Sequence, residues 1–492
     1  MTERMRLNEG NRRWWTLAAM CFALFMVMLD NTVVNVALPS IQTDLHASTA
    51  GLEWTVNAYM LAFGVLLVTG GRLGDIFGRR RIFLFGVVLF AASSAFIGFS
   101  QSQAWLIGGR AIQGVGAALM MPATLSIITN AFPPHERGKA IGTWAGVSAL
   151  ALAIGPVVGG LLVEHVSWQS IFFINLPVAA GAIVVTLFAT HESRDETVVP
   201  KIDIAGVTTI TIGVTALTLA LVEAPSWGWG SPRLLALCGL AAAGLAAFAY
   251  VERRAPVAMV DFSFFRSRTF LGANVVAFIV SFAMLGMFFF LSLYLQQVLN
   301  YSPLEAGVRF LPTTLMVIVV APIAGRLTDR IGPRPLMTGG LLLVASSLLW
   351  QSFLRVDSSF DFLLGGFIVM GIGISLVMAP MSTAAMNAVD QSKAGVASGI
   401  LSMSRMVGGT FGVAVLGTFI SQTTTPHEFV DSLGHGLLLG AIVAAVGAIV
   451  SWALISPELA GGQVREAPPA GEVAAPPAQP AREAVGSTSR VT

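Results

Sequence analysis

Gly71-Arg72-Leu73-Gly74-Asp75-Ile76-Phe77-Gly78-Arg79-Arg80-Arg81 is a short polar connection between two long apolar runs. The chain nearly repeats it as Gly325-Arg326-Leu327-Thr328-Asp329-Arg330-Ile331-Gly332-Pro333-Arg334-Pro335, with six of eleven positions identical at an offset of 254. A second pattern recurs with it. Gly142, Gly146, Gly155 and Gly159 return as Gly395, Gly399, Gly408 and Gly412, all four at an offset of 253. Glycine is 51 of 492 residues, so agreement of both patterns at nearly one spacing points to an internal duplication.

Outward from that loop, apolar runs follow one another along the whole chain. Of the residues, 55% are hydrophobic and only 11% are charged, whereas a soluble domain carries roughly 25% charged residues. Fourteen runs emerge, near 14–38, 52–71, 82–100, 105–122, 138–162, 170–190, 204–223, 232–251, 269–293, 304–324, 335–352, 362–380, 394–421 and 434–455. A run of about 18 or more apolar residues crosses roughly 30 Å of hydrocarbon as a helix, so the expected fold is an all-α polytopic membrane protein. The repeated loop follows run two and run ten, and the repeated glycines fall in runs five and thirteen. The duplication therefore shifts by eight helices, and the expected plan is two six-helix bundles, 14–190 and 269–455, around a two-helix insertion at 191–268. A short N-terminal segment (1–13) precedes them. The tail (456–492) is rich in Ala, Pro and Glu and is expected to be disordered. The sequence leaves open what helices 7 and 8 contribute, lipid-facing filler being the plainest reading.

Charge placement sets the sides. Twenty-three of the 28 Lys and Arg lie in the N-terminal segment, the even-numbered connections and the tail, against three in the odd-numbered connections. The positive-inside rule then puts both termini in the cytoplasm. The first run is too long for a cleavable signal and contains Asp30. Cys21 and Cys238, the only two cysteines, both lie in apolar runs and exclude a disulfide scaffold. All six histidines fall in connections or at run edges, and no HExxH, GxSxG or GxxxxGK[ST] motif is present, which disfavours an enzyme or an ATP-driven pump.

At four places the chain resembles the fourteen-span drug:proton antiporter family of the major facilitator superfamily. The Gly71–Arg81 loop is similar to the superfamily signature between helices 2 and 3. Leu29-Asp30-Asn31-Thr32-Val33-Val34-Asn35-Val36-Ala37-Leu38-Pro39 resembles the first-helix motif, and Leu106-x3-Arg110-x2-Gln113-Gly114 the helix-4 motif. Gly155-Pro156-Val157-Val158-Gly159-Gly160 resembles the helix-5 antiporter motif. The second-half loop departs, with Pro333 and Pro335 where the first has Arg79 and Arg81. The resemblance implies a major facilitator fold and proton-driven efflux of hydrophobic or amphiphilic compounds by alternating access at the cell membrane. It also implies a cytoplasmic latch of Gly71, Asp75, Gly78, Arg79 and Asp329, and a gating segment at Gly155, Pro156, Gly159 and Gly160.

The residues carry their own argument. Asp30 reads as the one carboxylate well inside a span, where charge costs at least about 2.5–3.5 kcal/mol, so it needs a partner or a cavity. It is either a proton-coupling group or a permanent ion pair. Asp30 lies about eight residues, roughly 12 Å, from the outer end of helix 1, and Arg110 about five residues, roughly 8 Å, from that of helix 4. Similar depth makes Arg110 its natural partner, the alternative being an arginine that snorkels to the interface. Arg110, Gln113, Gly114, Ala117 and Ala118 share one helix face. Arg405, mid-span in helix 13, either lines the central cavity or satisfies carbonyls at a helix break. Asn31, Asn35, Asn57, Tyr59, Gln113 and Asn274 are the other cavity candidates. The expected partners are a hydrophobic or cationic small molecule, protons and the lipid bilayer, with no nucleic acid. No cofactor or metal is expected, the proton gradient supplies the energy, and the working unit is a monomer. Transport of a specific metabolite and a non-transporting sensor are the competing readings.

Overall fold

The computed structural model describes residues 9–194, 203–255, 260, 262–389, 394–420 and 425–456, and these are helical with no strand among them. Among the described residues fourteen helices follow in order, with a separate 3-10 turn at Phe262–Arg266 before the ninth. They are α1 (Glu9–Leu45), α2 (Thr49–Phe77), α3 (Arg79–Gly98), α4 (Gln103–Ala131), α5 (Pro134–His165) and α6, in two pieces (Ser170–Phe173 and Asn175–Ala189). Then come α7 (Ile204–Trp227), α8 (Pro232–Arg254), α9 (Arg268–Leu293, continued by a π turn over Tyr294–Val298) and α10, broken at Phe310 (Pro303–Arg309 and Leu311–Ile331). The last four are α11 (Pro333–Gln351), α12 (Phe360–Asn387), α13 (Ala394–Ile420) and α14 (Pro426–Leu454). Twelve are long and apolar enough by themselves to cross a membrane; α5 offers a shorter apolar stretch, Ile154–His165, and α11 spans 19 residues. The tail from 457 onward and residues 1–8 lie outside the described residues.

Local chemistry explains where the helices begin and end. Ser48, Ser102, Ser231, Ser302 and Thr425 cap α2, α4, α8, α10 and α14, each accepting from a backbone N–H one turn in. All five lie on the same side of the bundle, opposite the end that holds most of the arginines (here the basic end). At the basic end the duplicated loop closes α2 and α10 with Gly78 at φ +109° and Gly332 at φ +81°. A side chain there would strain the backbone, which is why glycine stands at the same place in both copies.

The packing repeats as the sequence does. In the first half α2 and α3 pack on α4, and α1 on α5 and α6; in the second, α10 and α11 pack on α12, and α9 on α13 and α14. The halves meet along two seams, α2 with α13 and α5 with α10, whose members exchange under the duplication. Large apolar side chains such as Phe85, Leu240, Ile323 and Ile449 are exposed, an arrangement that suits hydrocarbon and not water. In the inserted hairpin, α7 rests on both α2 and α13 and so covers a seam between the halves.

Candidate functional site

Five helices of the first half converge on one buried polar cluster. Asp30 on α1 is 0% exposed and Arg110 on α4 is 1% exposed. Arg110 Nη1 donates to Asp30 Oδ2 at 2.5 Å and to Gln113 Oε1 at 2.6 Å. Gln113 Nε2 donates to Asp30 Oδ1 at 2.9 Å, and Asn175 Nδ2 on α6 reaches the same oxygen at 3.2 Å. Both amides also donate to Ser94 Oγ on α3, at 2.9 and 3.2 Å. Arg110 Nε donates to the Thr55 carbonyl of α2 at 3.0 Å, and the guanidinium lies 4.3 Å from the centre of the Tyr59 ring. The aspartate thus accepts three hydrogen bonds, and the arginine is held by a carboxylate, an amide, a carbonyl and an aromatic face. Burying two charges costs several kcal/mol each, and such satisfaction is what makes their burial tolerable.

Helix periodicity puts Arg110 and Gln113 on one face of α4, three residues apart, and that face meets α1 at the level of Asp30. Ser94 and Asn175 were not among the expected site residues. Asn175 begins the second piece of α6, directly after the break at Ile174. Gln113 and Tyr59, expected on a cavity wall, belong to this buried cluster instead, because their polar groups or faces are needed to hold the ion pair.

The glycines of α5 serve two neighbours at once. Gly155 faces the Thr32 side chain and Gly159 faces Val33, both on α1, one turn from Asp30. Gly160 faces α10 across the seam, where a Cβ would come within 2.5 Å of the Leu304 Cα and 2.6 Å of the Pro303 carbonyl oxygen. Gly307 of α10 sits on the Pro156 carbonyl in return. The segment links the helix that carries Asp30 to the opposite half.

At the basic end Arg79 Nη2 pairs with Asp75 Oδ1 at 2.8 Å, and the Arg79 N–H donates to the Ser193 carbonyl at 2.8 Å. The Arg80 N–H donates to Glu192 Oε1 at 3.0 Å, and Arg80 Nη2 to the Leu187 carbonyl at 2.9 Å. These bonds tie the loop to the end of α6, within the first half. Gly71 rests on Pro122. The Asp329 side chain lies outside the described residues. The opposite end is stitched across the halves by Ser292 to the Asn35 carbonyl (2.7 Å), Gln296 to the Val36 carbonyl (3.0 Å), Gln297 to Gln42 (2.6 Å) and the Leu304 N–H to Glu164 (3.1 Å).

The remaining cavity candidates do not gather in one pocket. Asn35 donates to the Asn31 carbonyl at 3.3 Å. Asn274 donates to the Phe270 carbonyl at 2.9 Å and accepts from Ser404 at 2.9 Å, so it is bound up between α9 and α13. Arg405 is half-buried, with its Nε unpartnered, and Asn57 is buried with both amide atoms unpartnered. Two cavities of about 480 and 430 Å³ lie at the basic end, beside Arg12 and Asn130 and beside Phe77 and Glu192, away from Asp30. Asp30 is not the only buried carboxylate: Glu53, one turn inside the capped end of α2, is 1% exposed. The apolar run near 52–71 begins only one residue before Glu53. The Ser48 cap, which starts the helix at Thr49, is the signal that places it inside.

The Major Facilitator Superfamily model matches residues 20–413 and 276–484. The tetracenomycin C resistance and export protein of Streptomyces glaucescens is 40% identical over 84% of this chain and 76% of its own length. The puromycin resistance protein pur8 of Streptomyces alboniger is 37% identical over 95% of both chains. The fold is also that of a peptide transporter POT whose crystal structure contains sulfate, with a TM-score of 0.66 at 15% identity over 91% of this chain and 99% of that one. A duplicated fourteen-helix bundle, a buried ion pair in its first half and these likenesses agree: the chain belongs to the Major Facilitator Superfamily and is a multi-pass membrane transporter, not an enzyme.

Proposed function

We propose that this transporter exports hydrophobic or amphiphilic drugs or antibiotics, many of them cationic, from the cytoplasm in exchange for protons. It works as a monomer in the cell membrane, with the basic end and both termini cytoplasmic. The names and extents of the antibiotic-exporting relatives support the substrate class. The observation that carries the coupling is the Asp30–Arg110 pair, a charge pair kept away from water and held by side chains from five helices. Protonation of Asp30 removes its charge from Arg110 and loosens the tie between α1 and α4. Because α1 packs on the glycine face of α5, and α5 on α10, that change reaches the seam between the halves. A driving force of about 150 mV supplies roughly 3.5 kcal/mol per charge, enough for one proton to sustain a gradient of a few hundredfold.

The test compares wild type with Asp30→Asn, in cells exposed to a panel of antibiotics and dyes and in proteoliposomes under an imposed pH gradient. Expected are loss of resistance and loss of substrate-stimulated proton movement at equal expression. Equal resistance from both proteins would remove Asp30 from the coupling step, and substrate binding without flux would make the chain a sensor.

A further inference from the structure

One arginine of the second half has no partner among the described residues. Arg405 is the twelfth of the 27 residues of α13, so it stands near the middle of the span. It is half-buried, its Nε is buried without a hydrogen-bond partner, and no ion pair or aromatic ring engages its guanidinium among the described residues. Its neighbours fix where it looks. Ser404, just before it, is bonded to Asn274 of α9, and Met406, just after it, lies over Gly64 of α2. Gly409, one turn on and on the same face, meets Leu285 of α9 and Met60 of α2. Arg405 therefore faces the gap between α9 and α2, one helix from each half. Residues 402–407 are all half-buried, whereas Gly408, Gly409 and Thr410 are buried, so the packing opens at this level.

A cation at mid-span is costly unless something pairs with it. The helices around Arg405 offer no counter-charge at its depth. Those packed on α13 are α2, α7, α9, α12 and α14, and their carboxylates (Glu53, Asp75, Glu223, Asp361, Glu428 and Asp431) all lie within two turns of a helix end. Glu53 rests on Gly417, twelve residues or about 18 Å from Arg405 along α13. Asp30 is committed to Arg110 inside the first half. We infer that Arg405 is an anion-binding point of the substrate cleft, and that it holds amphiphiles which carry a carboxylic acid or an ionised phenol or enol. The guanidinium fork matches the two oxygens of a carboxylate, as the single ammonium of a lysine does not. Met60, Leu285 and Met406 give the body of such a molecule apolar flanks, two of them unbranched and adaptable. The ligand supplies the counter-charge that no side chain provides. The use of this site in export rests on the antiport reading and adds an acidic class to its substrates. Binding does not rest on that reading, so the two can fail separately.

The experiment measures binding of two dyes with one xanthene body to the full-length protein in lipid nanodiscs, by fluorescence anisotropy against empty nanodiscs. Fluorescein carries a carboxylate; rhodamine ethyl ester carries an ester in its place and a positive charge. Wild type is expected to bind fluorescein. Arg405→Gln is expected to weaken that binding by about tenfold or more and to leave the rhodamine ester bound as tightly as before or more tightly. Arg405→Lys, which keeps the charge and loses the fork, is expected to fall between the two. No partner loses a bond in Arg405→Gln, so its unfolding temperature is expected to match wild type. Wild type alone gives a second reading: naphthoate is expected to compete with fluorescein more strongly than naphthalenemethanol, which has nearly the same shape and no charge. A wild type that does not bind fluorescein, an Arg405→Gln that binds it unchanged, an equal loss of both dyes, or equal competition by the two naphthalenes would each overturn the proposal. An Asp30→Asn that exports like wild type would instead sink the antiport reading and leave this site standing.

Discussion

The two halves solve the same packing problem with opposite chemistry at one level. Gly159 packs on Val33 in the first half, and its repeat Gly412 packs on Phe282 in the second. Three residues before these contacts stand Asp30 and Ile279. Likewise Gly86 packs on Gly116, and Gly340 on Gly373. Six residues before the latter glycines stand Arg110 and Phe367, and three before them Gln113 and Met370; eight after Gly86 and Gly340 stand Ser94 and Leu348. The second-half set is wholly apolar and buried, and Phe367 stacks on Phe310 and meets Phe360 edge to face. The fold therefore does not need an ion pair at this position. Where one copy of a scaffold is filled with Ile, Phe, Met and Leu and the other with Asp, Arg, Gln and Ser, the polar copy answers to function, because buried ion pairs seldom stabilise more than the hydrophobic residues that fit the same space.

The comparison breaks most sharply if half of the pair is removed. Arg110→Ala leaves Asp30 as a buried carboxylate with only amide donors, and deletes the largest fully buried side chain among the described residues. The expected loss is about 3–5 kcal/mol, seen as a large drop in thermal unfolding temperature in detergent and in yield. The second-half counterpart, Phe367→Ala, is expected to lose a similar amount, about 3–5 kcal/mol, by cavity formation alone. The pair differs in pH dependence. Acid is expected to restore part of the Arg110→Ala stability, because protonation neutralises the orphaned Asp30, and to leave Phe367→Ala unchanged.

A smaller effect sharpens the picture of how the pair is held. Asn175→Leu removes one of the three donors to Asp30 without removing a charge, and a hydrogen bond to a charged group is worth about 1.5–3 kcal/mol. Unfolding temperature is expected to fall by less than in Arg110→Ala, while export is impaired at equal expression. A stability loss equal to that of Arg110→Ala would mean that the amide and not the arginine sustains the aspartate.

Much of this was legible before any coordinates. The eight-helix shift follows from the repeated loop and the repeated glycines, and the packing pairs repeat with that shift. The meeting of Asp30 with Arg110 was expected, although the depth count behind it ended helix 1 near Leu38 and α1 runs on to Leu45; the shared face of Arg110 and Gln113 follows from helix periodicity. Ser94 and Asn175 were illegible because a single polar residue in a membrane helix carries no periodic signature; only the rotation of α3 and α6 about their axes decides whether it meets the cluster. Glu53 was hidden by a boundary, since hydropathy blurs where a helix starts by about the one turn that separates an edge residue from a buried one. The hairpin's place over the α2–α13 seam is a tertiary fact, invisible to composition because both of its helices read as equally apolar.

The smallest expected change in stability comes from the largest change in sequence. Asp30→Ile, Ser94→Leu, Arg110→Phe and Gln113→Met together give the first half the residues of the second, with Asn175→Leu to remove the amide that would lose its partners. Every buried charge leaves with its counter-charge, so no desolvated group is orphaned, and the replacement set already packs at the equivalent place in this chain. Stability is expected to stay within about 2 kcal/mol of wild type or to rise, as it does when buried ion pairs are replaced by fitted apolar groups. Export and substrate-driven proton movement are expected to vanish. A folded, monodisperse and inactive protein would separate what the first half needs in order to fold from what it needs in order to work. A variant that unfolds would show that the two halves, despite their common packing, differ in shape enough that the ion pair is structural.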